Sequence, residues 1–353
     1  MKILQVISSL ETGGAQKLLS DLLPLIAEKH EVTLLVNKDI NNIFTQKIKN
    51  SNVRYICSNL PNLYSLKNYF VLRKMIGQYD IIHVHLFPLI YWVSIASIFK
   101  KTNLIYTEHS TSNKRRDKWY FRPIERWMYS RYKRIISISQ QTQDAIMTWL
   151  KADSNDKRFT IVNNGIKLSA FHKHKESSNS KRNIIMVSRF VPSKDQITVI
   201  RALTMLPDNI NVTFLGDGET MNRCKNEAER LGVRERIVFA GQQDDITTWF
   251  TKADIAIQSS NWEGFGLAAV EAMAVGLPTI ASDVEGLRQV VEGAGLLFPK
   301  GDAKTLSKLI LQTLTDNSVY QEISEKCRNR SLLYDIQNTA NLYVSIYEEV
   351  VEE

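Results

Sequence analysis

Cysteine is scarce: Cys57, Cys224 and Cys327 are the only three. They are odd in number, far apart and in no metal-ligand spacing, so they read as unpaired thiols of a reducing compartment rather than a disulfide framework. Long apolar runs are missing too. The most apolar window, 81–99, contains His83, His85 and Pro88 and begins like a strand, which argues against a spanning helix. After Lys2 only five largely apolar residues precede Ser8 and Ser9, too few for the core of a signal peptide. A cytoplasmic protein is the expectation. No Asp-x-Asp occurs, so a dedicated divalent-metal site has no support, and the GxGxxG dinucleotide fingerprint is missing.

What is present is an ordinary globular composition, 44% hydrophobic and 23% charged, over 353 residues. That length exceeds what one core organises, and two domains of roughly 150–180 residues are expected. Charge is unevenly spread: 27 Lys+Arg stand against 13 Asp+Glu in residues 1–180, but 18 against 24 in residues 181–353. A basic first half suggests that this half faces a polyanion, whose kind the sign alone does not say.

Short apolar runs alternate with amphipathic stretches. Strands are expected at 3–7, 32–36, 53–56, 81–84, 104–107, 135–138 and 160–162, with helices such as 15–28 and 141–150 between them. The polar, low-complexity stretch within 172–183 cannot bury apolar surface and reads as a linker. Strands resume at 184–188, 212–215, 237–240, 255–258 and 279–281, and residues 302–350 read as two or three helices. Repeated βα units imply doubly wound parallel sheets. The expected architecture is α/β, with Rossmann-like domains at 1–171 and 184–332. A last helix at 333–353 returns to the first domain.

In open parallel sheets, ligands bind beyond the carboxyl ends of the strands. The two domains are therefore expected to present those edges to an interdomain cleft, and the loops after strands are where chemistry is sought. Gly13 and Gly14 follow the first strand; paired glycines let amides approach an anion at a helix N-terminus, although a plain tight turn explains them equally well. Arg189 and Lys194 follow the first strand of the second half, where a guanidinium fork and an ammonium make a diphosphate clamp; a surface ion pair is the alternative. The most informative cluster runs from Glu263 through Gly264, Phe265, Gly266 and Leu267 to Glu271. Its glycines expose helix N-terminal amides, while carboxylates so near a phosphate must point at hydroxyls instead. A glycosidase-like acid/base pair is the other reading, and it leaves the phosphate-binding elements unexplained.

On these residues the chain resembles the retaining glycosyltransferases of the GT-B fold, family 4 (glycosyl transferases group 1), over nearly its whole length. The resemblance is carried by SSLETGGAQ, DIIHVH, TEHS and VNNGI in the first half. In the second half it is carried by VSRFVPSK, FLGDGE, FAGQQDDI and SSNWEGFGLAAVEAMAVGLPTIAS. It implies that Arg189 and Lys194 hold the donor diphosphate, and that Glu263 and the backbone of 264–267 contact the transferred sugar and phosphates. It also implies that Glu271 accepts bonds from the ribose, Gly13 and Gly14 close over the diphosphate, and His109 approaches the donor sugar. Gly216 and Asp217 form a turn near the nucleotide. Two positions depart from the family pattern: Asp195 stands where Gly is usual, and Lys167 where Asp is usual.

The resemblance implies retention of anomeric configuration, with a nucleotide diphosphate sugar as substrate, no cofactor and no metal. Cationic side chains take the metal's role in stabilising the leaving diphosphate. His83 and His85 lie on one side of a strand but lack a nearby third metal ligand. The segment from Lys114 to Arg134 has nine basic residues against two acidic ones, interleaved with aromatics. It reads either as an interfacial surface for an anionic membrane or as a helix that buries Tyr120, Ile124, Trp127 and Met128. No recognised nucleic-acid module is present. With the interfacial reading, a saccharide or polyprenyl-diphosphate-linked acceptor in surface polysaccharide assembly is expected, with the enzyme peripheral on the inner face of the plasma membrane. A nucleotide-sugar epimerase of the same architecture and an inactive nucleotide-sugar-binding protein remain the alternatives.

Overall fold

Every predicted strand forms, and each helix between two strands returns the chain to start the next strand in parallel. The computed structural model describes residues 1–111, 113, 115–171 and 181–353. The first sheet comprises β1 (Lys2–Ser9), β2 (Glu31–Lys38), β3 (Arg54–Cys57), β4 (Ile81–His85), β5 (Asn103–Glu108), β6 (Arg134–Ser137) and β7 (Phe159–Ile161). Its order is β3-β2-β1-β4-β5-β6-β7, all parallel. The second comprises β8 (Arg182–Val187), β9 (Ile210–Leu215), β10 (Ile237–Phe239), β11 (Ile255–Gln258), β12 (Thr279–Ser282) and β13 (Leu296–Phe298), in the order β10-β9-β8-β11-β12-β13. β13 is an addition to the sequence reading, and β8 starts two residues before its expected position at 184.

The chain divides into two units, residues 1–165 with 336–353, and residues 166–335. The crossing therefore falls at Gly165, ahead of the expected boundary at 171. The second crossing, after Asp335, falls later than the expected 332. Nine of the residues assigned to a linker, 172–180, lie outside the described residues.

Both faces of each central strand are covered, which is why the strands read as nearly continuous apolar runs. In β1, Ile3 and Ile7 pack into one core with Leu18, Leu22 and Tyr343. Leu4 and Val6 turn to the opposite face, against Ile90 and Val93. The last helix, Ile336–Glu352, buries Ala340, Tyr343, Tyr347 and Val350 in the first of these cores. Helix starts are set by local side chains. Asn42, Ser139 and Asp302 each accept a hydrogen bond from the backbone N–H three residues on, at 2.9–3.2 Å. No helix among the described residues is long and apolar enough to cross a membrane.

Candidate active site

In the second unit, β8 and β11 are hydrogen-bonded neighbours, yet the chain leaves β8 toward β9 and leaves β11 toward β12. Such a reversal of strand order opens a crevice at the carboxyl ends. The loops leaving these two strands are joined backbone to backbone. Asp195 N donates to Ser259 O at 2.9 Å, Asn261 N donates to Ser193 O at 2.8 Å, and Lys194 bridges Ser260. Upon that joint Lys194 Nζ is paired with the Glu263 carboxylate, their side chains only 19% and 18% exposed. Glu263 Oε1 also accepts from Gly264 N at 3.2 Å. The cation and the acid singled out in the sequence thus meet directly.

Arg189 lies in the same loop as Lys194. Its carbonyl and Ser188 Oγ both accept from Gln196 Nε2 at 3.0 Å, so a buried glutamine holds the backbone while the guanidinium stays exposed. No described residue is paired with that guanidinium. Gly216 and Asp217 pack against this loop: Phe190 N donates to Asp217 O at 2.9 Å, and a Cβ on Gly216 (φ +127°) would stand 2.1 Å from Ser188 O. Asp195, where the family pattern has glycine, serves as the N-cap of the helix Gln196–Leu203, accepting from Thr198 N at 3.2 Å.

Gly266 is the N-cap of the helix Leu267–Val275, whose first turn holds no acidic residue and no side-chain cap. Its leading amides suit an anion. Leu267 begins the helix, Phe265 is buried edge-on against Tyr334 at 5.4 Å, and Glu271 is buried one turn further along. Two hydroxyls at the end of β11, Ser259 Oγ and Ser260 Oγ, are shielded and without a partner among the described residues. The sequence reading missed the supports beneath this cluster. Ser282 Oγ accepts from Ser260 N and donates to Ser260 O, both at 2.8 Å. A Cβ on Gly286 would lie 2.1 Å from Glu263 O, so only glycine lets the following helix approach Glu263 so closely.

In the first unit the reversal lies between β1 and β4. Gly13 caps the helix Gly14–Ile26 in extended backbone, and that helix too has no acidic residue in its first turn. His109 directly follows β5. Burial lowers its pKa to about 3 and holds His83 and His85 well below the ordinary histidine value. Both nitrogens of His83 and of His85 are engaged, by Tyr347, Thr107, Gln5 and His109. No group of three or more metal-ligating side chains occurs among the described residues.

The basic, aromatic segment departs from one of its two readings. Lys114 lies outside the described residues. The helix Arg122–Tyr129 buries Glu125, Met128 and Tyr129, whereas Trp119, Tyr120, Ile124 and Trp127 are 45–77% exposed. The buried carboxylate of Glu125 sets this orientation, accepting from Arg115 Nε at 2.8 Å, Tyr91 OH at 2.9 Å and Trp149 Nε1. Arg115 and Arg116 turn inward, to Glu125 and Glu108 respectively.

Residues 12–170 match the family model of Glycosyltransferase Family 4, and residues 169–330 match that of Glycosyl transferases group 1. Carrying these two domains in tandem on this fold, the chain belongs to the GT-B glycosyltransferases. It is 23% identical to a UDP-Gal:alpha-D-GlcNAc-diphosphoundecaprenol alpha-1,3-galactosyltransferase of Escherichia coli, over 98% of this chain and 96% of that one. It is 32% identical to the lipopolysaccharide core biosynthesis glycosyltransferase LpsE of Rhizobium meliloti, over 40% of this chain and 42% of that one. Among solved structures, Anabaena HepE in complex with UDP and glucose superposes with a TM-score of 0.87 at 20% identity, covering 99% of both chains.

Proposed function

We propose that the protein transfers a hexose or N-acetylhexosamine from a nucleoside diphosphate sugar to a saccharide or polyprenyl-diphosphate-linked acceptor, with retention, in surface polysaccharide assembly. The observation that carries this reading is the Lys194–Glu263 pair at the β8/β11 reversal, between exposed Arg189 and the uncapped helix that bears Glu271. An ammonium and a guanidinium suit a diphosphate. The carboxylates of Glu263 and Glu271 suit the sugar and ribose hydroxyls. Lys194 and Glu263 neutralise each other as paired, and donor binding divides them between phosphate and sugar.

In this scheme the bond from the anomeric carbon to the diphosphate breaks and a bond to the acceptor hydroxyl forms on the same face. The acceptor proton passes to the departing diphosphate oxygen. No protein nucleophile and no metal is required, because side-chain cations and helix amides stabilise the leaving group. We assign Gly13, Gly14 and His109 to donor binding on the family resemblance. The E. coli relative's donor and lipid-diphosphate substrate support the choice of reaction.

Incubation with UDP-glucose, UDP-galactose, UDP-N-acetylglucosamine and GDP-mannose tests it. Slow release of nucleoside diphosphate from one of them is expected. An isomerised donor would indicate an epimerase, and binding without turnover an inactive binding protein.

The exposed face of Trp119, Tyr120, Ile124 and Trp127, flanked by exposed Lys118 and Arg126, is proposed to rest on an anionic membrane. A basic residue near such a surface contributes about 1 kcal/mol. Lys118→Gln with Arg126→Gln should therefore lower partitioning onto phosphatidylglycerol vesicles by roughly tenfold or more, while leaving nucleotide binding intact. Partitioning unchanged by these variants and by Trp119→Ala with Trp127→Ala would remove the membrane from the account.

A further inference from the structure

Beneath the carboxyl edge of β1, β4 and β5 lies a buried polar network larger than the proposed reaction uses. Strand register assembles it: Gln5 lies opposite His83, and His85 opposite Thr107. The last helix adds Tyr343 and Tyr347.

The polarity of this network follows from the inventory of donors and acceptors. A neutral imidazole has one nitrogen that donates and one that accepts. Gln5 is engaged at both ends: its Nε2 donates to Tyr347 OH at 2.9 Å, and its Oε1 faces His85 Nε2 at 2.8 Å. A carbonyl oxygen only accepts, so His85 carries its proton on Nε2 and presents a bare Nδ1. His109 Nε2 lies 3.1 Å from that Nδ1 and must be the protonated nitrogen of its ring. His109 Nδ1 is then a bare acceptor, shielded from water and without a partner among the described residues.

On the other branch Tyr347 OH, accepting from Gln5, donates to His83 Nδ1 at 2.7 Å, and His83 Nε2 donates to Thr107 Oγ1 at 2.7 Å. Reversing the polarity would turn over every bond together and end on a buried His109 N–H with no acceptor among the described residues.

We infer that His85, Gln5 and Tyr347 are positioning residues that hold His109 with Nδ1 unprotonated, as an acceptor for a hydroxyl group of the donor sugar. This rests on the reading that His109 meets that sugar. An unfilled, shielded acceptor is unfavourable until a donor reaches it, and a sugar hydroxyl is such a donor. The same wiring denies His109 a role as general acid, since its only N–H is committed to His85.

Nitrogen-15 NMR of the histidine rings in the full chain, with His109→Asn for assignment, reads the tautomer directly. Release of UDP from UDP-glucose or UDP-galactose reads its use. Tyr347→Phe removes one oxygen, keeps the ring and frees Gln5 to turn. It should give mixed tautomers at His109 and a roughly tenfold fall in kcat/KM. Tyr343→Phe, on the same helix, keeps the ring that stacks on His83 and loses a hydroxyl hydrogen-bonded among the described residues to Thr107 alone; it should change neither and serves as the control for lost packing. A protonated His109 Nδ1 in the unaltered chain, or a tautomer indifferent to Tyr347→Phe, would overturn the inference. A tautomer that shifts with kcat/KM unchanged would overturn the contact with the sugar. An unaltered chain with the expected tautomer but no release from any donor would instead overturn the transferase reading, leaving the tautomer assignment intact.

Discussion

Lys194→Ala is expected to slow sugar transfer by roughly 10²–10³, the range for removing one preorganised electrostatic donor. Two effects combine. The developing charge on the leaving diphosphate loses its ammonium, and Glu263, whose side chain is 18% exposed, is left without its counter-charge. Arg189→Ala should reduce the rate by a similar factor for a simpler reason. Its guanidinium is exposed and held by no described residue, so removal should shift stability by no more than about 0.5 kcal/mol. A thermal melt beside the kinetics separates the two variants. Lys194→Ala combined with Glu263→Gln should be less harmful than the two single effects summed, because the partners share one interaction. A fall below tenfold in both Lys194→Ala and Arg189→Ala would exclude the proposed clamp.

Lowering the pH below 6.5 is expected to destabilise the first unit measurably through its buried histidines. Burial lowers the folded pKa of His83 and His85 well below 6.5 and that of His109 to about 3. As pH falls through the unfolded value, the unfolded chain takes up protons that the native imidazoles refuse. Stability is therefore complete above the unfolded pKa and declines below it. Each histidine that stays neutral contributes a slope of about 1.4 kcal/mol per pH unit. At pH 6.5 only about half of that slope applies, so lowering the pH from 6.5 to 5.5 costs about 1 kcal/mol per histidine and roughly 3 kcal/mol for the three, against a typical domain's roughly 5–15 kcal/mol. Urea midpoints followed across that interval check this, and a midpoint that does not move would mean the imidazoles are charged in the native state.

The βα alternation was legible because strands covered on both faces are written as uninterrupted apolar runs, such as 81–84 and 255–258. β13 escaped because Leu296–Phe298 is three residues between Gly295 and Pro299, too short to display a period. The division at Gly165 also escaped. Its physical reason is a close approach across some 170 residues, where a Cβ would stand 2.7 Å from Ile336 Cα. The cluster from Glu263 to Glu271 could be picked out as a unit because its residues are local in sequence. Gln196, Ser282 and Gly286 could not be, since each acts through a backbone group that only folding brings near. The basic segment misled in part: pattern alone placed Tyr120, Ile124 and Trp127 in a possible core, and the buried carboxylate of Glu125 turned the helix the other way.

The proposed transfer depends on binding of a nucleoside diphosphate at the ends of β8 and β11. Thermal unfolding of the full chain with UDP and with GDP, in buffer without divalent metal, tests it most directly. One of the two nucleotides should raise the melting temperature in proportion to occupancy, by about 2.7 kcal/mol of stabilisation at a hundredfold excess over Kd. Arg189→Ala and Glu271→Gln should each diminish that rise. No rise with either nucleotide, or a rise indifferent to both substitutions, would contradict the account.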